Sequence, residues 1–165
     1  MTVYMTMDSP LGELLLVGEE SATGVTLTSL AFPGQKRRRE AQPGWRRDEA
    51  VFTDIVRQLG AYFAGELQEF EVDYASGGTP FQERVWAALE TIPYGSTVSY
   101  GQLAERAGAP RTAVRAVAAA IGANPLLIFR PCHRVIGADG SLTGYAGGLA
   151  RKERLLAVEG ALQTA

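Results

Sequence analysis

The sequence holds one cysteine and one histidine among 165 residues, and each scarcity excludes something. A single cysteine cannot close a disulfide within the chain, which suits a reducing compartment. One Cys and one His cannot assemble a tetrahedral zinc site from the usual nitrogen and sulfur ligands, so no metal and no cofactor is expected. No apolar stretch approaches the roughly 20 residues that cross a bilayer. The opening Met1-Thr2-Val3-Tyr4-Met5 lacks the basic and apolar regions of a signal peptide. The chain is therefore expected to be soluble and cytoplasmic, with no membrane partner. Net charge is only -2, which taken whole argues against strong nucleic-acid binding. The halves differ, however: residues 1–78 carry seven Lys/Arg against twelve Asp/Glu, and residues 79–165 carry nine against six. The second half is the one suited to face an anion. The tetrad Lys36-Arg37-Arg38-Arg39 lies between Pro33-Gly34 and Pro43-Gly44 and reads as a solvated loop rather than a phosphate contact.

What is present is an α+β pattern in two parts. The runs Val3-Tyr4-Met5 and Leu14-Leu15-Leu16-Val17 flank the turn signal Asp8-Ser9-Pro10-Leu11-Gly12 and predict a hairpin, extended by a third strand from Val25 to Phe32. Between Asp48 and Phe63 the apolar residues recur at helical spacing, and Gly65 stops the helix. Phe70-Glu71-Val72-Asp73-Tyr74 reads as a further strand. Ser76-Gly77-Gly78 is the best linker, dividing an N-terminal domain (1–75) from a C-terminal one (76–165).

Thr79-Pro80-Phe81-Gln82 combines a Thr N-cap, Pro at the first helical position and Gln three residues after the cap. Ser99-Tyr100-Gly101-Gln102 repeats the capping pattern and opens a short helix through Ala107. After Gly108-Ala109-Pro110 a second helix is expected from Arg111 to about Ile121, closed by Gly122. Two short helices joined by a glycine-containing turn describe a helix-turn-helix. The second carries Ala113, Ala116 and further alanines beside Arg111 and Arg115, a smooth surface that suits phosphate and shape contacts better than base reading. Gly137-Ala138-Asp139-Gly140 reads as a hairpin turn, Gly144-Tyr145-Ala146-Gly147-Gly148 as a flexible loop, and Leu149 to Val158 as the last helix, ending in Glu159-Gly160.

The lone cysteine and histidine are adjacent, in Pro131-Cys132-His133-Arg134-Val135. A single buried Cys is often just a small hydrophobe. Here a rigid Pro131, a base and the positive Arg134 surround it, and cationic surroundings lower a thiol pKa from about 8.5, making thiolate available at neutral pH. On extended backbone, consecutive side chains point to opposite sides. Cys132 and His133 would then not touch, and His133 would reach the thiol through a water. A carboxylate to orient the imidazole is expected, with Glu159 one candidate.

These residues, with Ser99-Tyr100, Arg115-Ala116-Val117 and Asn124-Pro125 before them and Gly144-Tyr145-Ala146-Gly147-Gly148 after, resemble the O6-alkylguanine-DNA alkyltransferases. The match covers residues 79–160, and the N-terminal half resembles the family's ribonuclease-H-like domain loosely. The resemblance implies suicide repair, in which a thiolate takes an alkyl group from guanine O6 as a stable thioether. It assigns Cys132 as acceptor, His133 as water-mediated base with Glu159 behind it, and Tyr100 as donor to guanine N3. Arg115 becomes the finger filling the gap in the base stack, and Asn124 the hinge between DNA-binding helix and active site. The carbonyls of Cys132 and Val135 would accept from the guanine amino group, the Ala146 N–H would donate to O6, and Tyr145 with Gly147 would line the pocket. Arg111, Ala113 and Ala116 would lie along DNA. The implied partner is double-stranded DNA containing O6-alkylguanine, bound by a monomer, with cooperative binding along the duplex left open. Three positions depart from the family. Arg130 stands where an aliphatic residue is usual, the turn between Gly108 and Arg115 is one residue longer, and Ala146 replaces a Ser of some members. Two other readings compete: a non-catalytic alkylated-DNA-binding or damage-sensing module, and a thiol hydrolase.

Overall fold

The computed structural model describes residues 1–35 and 40–161, so the basic tetrad at 36–39 lies outside the described residues. The chain divides into two compact units, Met1–Ser76 and Gly77–Ala165. The first holds β1 (Thr2–Ser9), β2 (Gly12–Ser21), β3 (Gly24–Ala31), the two-residue β4 (Arg46–Arg47) and α1 (Thr53–Phe63). Their sheet runs β3-β2-β1-β4, antiparallel except where β4 joins β1 in parallel. Leu14, Leu15, Leu16 and Val17 of β2 are all buried, as a central strand covered on both faces requires. At the irregularity between Val17 and Gly18 in the β2–β3 register, Gly18 has no room for a side chain: an added Cβ would lie 2.8 Å from the Thr26 carbonyl oxygen. Helix α1 buries Ile55, Leu59 and Tyr62, the residues its helical spacing marks.

The segment 70–74 is not the strand its sequence predicts. It meets the sheet at one isolated parallel bridge, Leu27 with Tyr74. Upstream of the bridge its backbone is satisfied by a buried side chain instead: Gln58 Nε2 donates to the Glu71 carbonyl (3.0 Å) and the Glu71 N–H to Gln58 Oε1 (2.8 Å). A glutamine amide presents an N–H donor beside a carbonyl acceptor, as a peptide group does, so it replaces a neighbouring strand locally, and its second N–H donates to Asp54 Oδ2 (2.8 Å).

The second unit contains α2 (Pro80–Leu89), β5 (Val98–Ser99), α3 (Tyr100–Arg106), α4 (Val114–Gly122), β6 (Val135–Ile136) and α5 (Leu149–Val158). Both expected capping boxes form, at Thr79 with Gln82 and at Ser99 with Gln102. Trp86 of α2 is buried and its indole N–H donates to the Ala120 carbonyl on α4 (2.9 Å), fixing these two helices together. Helix α4 begins three residues later than expected. The Ala113 N–H closes a turn on the Pro110 carbonyl (2.9 Å), which leaves Arg111, Thr112 and Ala113 in the connection between α3 and α4. At 137–140 a tight turn forms, with the Gly140 N–H on the Gly137 carbonyl (2.9 Å), but no hairpin. Its leading strand β6 pairs in parallel with β5 instead, Val98 opposite Val135 and Ser99 opposite Ile136. That short ladder sets the start of α3 beside the Cys132 segment. Among the described residues no helix is long and apolar enough to cross a membrane.

Candidate active site

Two very tight turns deliver Cys132. The Phe129 N–H donates back to the Leu127 carbonyl (2.9 Å) around Ile128, whose φ of +74° is rare for a β-branched residue. The Cys132 N–H then donates to the Arg130 carbonyl (2.7 Å) around Pro131, at φ −77° and ψ 62°. The ring of Pro131 presets that φ. A left-handed Ile costs of order 1–3 kcal/mol and persists only when its surroundings hold it. Asn124 does the holding. Its Nδ2 donates to the carbonyls of Arg130 (3.2 Å) and Leu126 (3.4 Å), its Oδ1 accepts from the Leu126 N–H (3.0 Å), and Nδ2 lies 3.6 Å from Cys132 Sγ.

Residues 132–134 form a 3-10 turn rather than extended backbone. All three side chains are buried in this turn. His133 Nε2 lies 2.8 Å from Glu159 Oε2. Arg134 grips the same carboxylate with a two-pronged fork, Nε to Oε1 at 2.7 Å and Nη2 to Oε2 at 2.9 Å, while its Nη1 donates to the Ile92 carbonyl (2.6 Å). Since Glu159 is an acceptor, Nε2 carries the imidazole proton and Nδ1 carries the lone pair. Nδ1 is buried and has no hydrogen-bond partner. Burial pulls the imidazole below its ordinary pKa of 6.5, opposed by the Glu159 bond. The group is therefore a neutral base at physiological pH, with its basic nitrogen unclaimed.

The thiol differs from its expectation. The Arg134 guanidinium is committed to Glu159 and the Ile92 carbonyl and does not figure among the groups that shift the thiol, and Cys132 is 1% exposed. Burial pushes the thiol up to about 11, against stabilisation of the thiolate by Asn124, the Lys152 ammonium and its own backbone N–H. Thiolate is therefore not the resting form, and forming it takes a base that removes the thiol proton.

The other expected residues divide into two groups. Tyr100, at the first turn of α3, donates its hydroxyl to the Thr143 carbonyl (2.9 Å), which brings it to the edge of the loop carrying Tyr145, Ala146 and Gly147. Tyr145 and Ala146 are half-buried and Gly147 is buried. Arg115 and Ala116 are exposed on the first turn of α4. Arg111 is exposed in the preceding turn, paired with Glu105 (3.3 Å), and Ala113 is half-buried there. An open groove of about 530 Å³ runs along this face, lined by Ser99, Gly101, Gln102, Arg111, Val114 and Ala138. Of the ways a buried arginine can be accommodated here, Arg130 pairs with an acid: its guanidinium stacks 4.6 Å over the Trp86 ring, with Nε 3.7 Å from Glu90.

Sequence reasoning missed Lys152, whose side chain is fully buried and reaches the carbonyls of Val135 (2.6 Å), Thr143 (2.8 Å) and Gly144 (3.2 Å). It also missed Arg134 as the partner of Glu159. A signal existed: Lys152, Leu155, Leu156 and Glu159 follow the i, i+3, i+4, i+7 rule, so two charged residues fall on the apolar stripe of α5 and its C-cap.

Residues 80–161 match the family model described as 6-O-methylguanine DNA methyltransferase, DNA binding domain, and residues 2–74 match its ribonuclease-like domain. The methylated-DNA–protein-cysteine methyltransferase of Mycolicibacterium paratuberculosis is 52% identical over 159 residues, covering 96% of this chain and 93% of the relative. That of Methanosarcina acetivorans is 48% identical, covering 95% and 97%. The crystal structure of Mycobacterium tuberculosis OGT in complex with DNA superposes with a TM-score of 0.86 at 50% identity, covering 96% of this chain and 93% of that one.

Glu159 is buried against Arg134 and His133, so removing its charge leaves a guanidinium uncompensated. Glu159→Gln is expected to lower unfolding stability by about 3–5 kcal/mol. Denaturant titration checks it; a loss below about 1 kcal/mol would mean the pair contributes no more than an exposed one.

Proposed function

Because this chain belongs to the 6-O-methylguanine DNA methyltransferases, with family models spanning both its units and relatives near 50% identity along its length, we propose that it repairs DNA by moving an alkyl group from guanine O6 onto Cys132. The observation that carries the residue assignment is that Cys132 is the only cysteine in the sequence and shares its 3-10 turn with a base whose Nδ1 is buried and has no hydrogen-bond partner.

His133 Nδ1 takes the thiol proton through a bridging water, and the Nε2–H···Glu159 bond strengthens as the imidazole becomes cationic. Sulfur attacks the alkyl carbon in line as the C–O6 bond breaks. A proton equivalent to the one lost by the thiol is delivered to the departing guanine, through Tyr100 at N3, so a neutral base leaves. The product is a thioether that no group of the site cleaves, so each molecule acts once. Tyr100 exchanges its Thr143 carbonyl for guanine N3 when the base enters. The carbonyls of Cys132 and Val135 accept from the guanine amino group, the Ala146 N–H donates to O6, and Tyr145 and Gly147 wall the alkyl group. Asn124 links the end of α4 to the nucleophile through its bonds to Arg130 and Cys132, which supports its reading as the hinge.

A base inside a duplex cannot present its O6 substituent to a buried thiol, so the nucleotide is extruded, at a cost of a few kcal/mol. Helices α3 and α4 act as a helix-turn-helix, placing Arg111, Ala113 and Ala116 along the DNA and Arg115 in the vacated stack. The exposed alanines let the backbone approach closely without choosing a sequence. The working form is a cytoplasmic monomer that needs no metal.

Incubation with excess duplex bearing one O6-methylguanine should add a single methyl to the protein, mapped to Cys132 by peptide mass spectrometry. Bound DNA without an adduct would favour the damage-sensing reading, and repeated turnover on an ester would favour the hydrolase. Arg115→Ala should slow transfer from duplex DNA at least about tenfold, the equivalent of 1.4 kcal/mol of lost extrusion support, while reaction with free O6-benzylguanine stays within about twofold. Equal losses on both substrates would refute the finger role.

A further inference from the structure

The longer turn between Gly108 and Arg115 brings Arg111 back over the start of α3, where the packing is close. A Cβ added to Gly101 would lie 3.0 Å from Arg111 Cγ and 3.4 Å from its Nε. Gly101 has no positive φ to require a glycine, and glycine is disfavoured within a helix. Its place is explained by the room it leaves for the arginine stem. Four residues along α3 and on the same face, Glu105 Oε1 stands 3.3 Å from Arg111 Nε. The stem thus has a bed and the charge a counter-charge. Both side chains stay in contact with solvent, Arg111 63% exposed and Glu105 55%. Among the described residues the Nη groups of Arg111 make no hydrogen bond.

We propose that Arg111 is a DNA-phosphate site that Glu105 occupies until a phosphodiester of the duplex takes its place, so that Glu105 limits affinity for undamaged DNA. The inference rests on the reading of α3 and α4 as the DNA-binding helices. A guanidinium presents a planar fork that two phosphate oxygens fit. This fork borders the open groove lined by Gly101, Gln102 and Val114, in which Arg111 is the one charged lining residue among those described. An ion pair as exposed as this one is weak, because water and salt screen it and two long side chains must be ordered to make it. Duplex DNA sets one negative charge at about every 1.7 Å of its axis. On contact, that density of charge outcompetes a single carboxylate.

A protein that inspects DNA for one altered base must leave undamaged sites as readily as it reaches them, and phosphate contacts supply nearly all of the non-specific affinity. With Glu105 in place, Arg111 adds to binding only the difference between its two partners rather than a full phosphate contact. Arg115, exposed on α4, makes no ion pair among the described residues. The acid therefore restrains one arginine of this face and leaves the other, the proposed finger, ready to insert.

The test is binding of the full chain to a short, fluorescently labelled duplex without damage, which excludes alkyl transfer, followed by anisotropy between about 50 and 200 mM salt. A double-mutant cycle isolates the pair. Glu105→Gln should tighten binding about threefold, within the range of an exposed ion pair, and in an Arg111→Ala background the same change should alter it less than about 1.5-fold. Arg111→Ala should reduce the slope of log K against log salt by about 0.9, the share of one phosphate. Arg111→Lys keeps the charge and should restore that slope. A Glu105→Gln gain of equal size with and without Arg111 would overturn the proposal, since the carboxylate would then act as general repulsion of DNA. Unchanged binding in Glu105→Gln, or an unchanged salt slope in Arg111→Ala, would overturn it as well. Wild-type protein with no salt-dependent affinity for the duplex would instead overturn the reading of α3 and α4.

Discussion

The site is organised by one buried carboxylate. Glu159 stands at the C-terminal end of α5, where the helix dipole disfavours negative charge, and it is held there by the fork of Arg134 and by His133. Such a pair costs desolvation on both sides, and it is tolerated because every prong is matched: the remaining Arg134 donor goes to the Ile92 carbonyl, and the Tyr94 hydroxyl closes the last turn of α5 on the Val158 carbonyl. The consequence for chemistry is a fixed tautomer. With Nε2 committed to Glu159, Nδ1 is the only nitrogen left to act, and it lies in the same turn as the sulfur.

The nucleophile is held from the other side by backbone strain under restraint. Ile128 occupies the left-handed region, Pro131 closes a second tight turn, and Asn124 ties Leu126 and Arg130 across both. The Arg130 side chain anchors this segment to α2 through the Trp86 stack, and Trp86 is itself fixed to α4. The residue that departs from the aliphatic pattern thus keeps the same packing role, with the ring face replacing an apolar neighbour and Glu90 answering the charge. Cys132 is therefore buried and protonated at rest.

Much of this was legible in the residues. The three long strands, α1, α2 and α5 follow from apolar spacing and caps, because each rests on local patterns that tertiary contacts reinforce. The Pro-Cys-His-Arg-Val segment and Glu159 were legible because nucleophile, base and carboxylate are scarce residue types in a chain with one Cys and one His. Non-local substitutions were not legible. Gln58 satisfying Glu71 in place of a strand, the Pro110–Ala113 turn shortening α4, and β6 pairing with β5 each depend on partners far away or on competing turns. The thiol was misjudged for the same reason: sequence adjacency placed Arg134 near sulfur, and a 3-10 turn sends its guanidinium to Glu159 instead.

The chemistry of the site turns on His133 being a neutral base with its proton on Nε2 and its lone pair on Nδ1. The sequence has one histidine, so 15N-histidine labelling of untagged protein yields a single imidazole whose two nitrogens can be assigned without ambiguity. At pH 7 the expected result is a protonated Nε2 coupled to Glu159 and an unprotonated Nδ1. A proton on Nδ1, or an imidazolium at that pH, would contradict it.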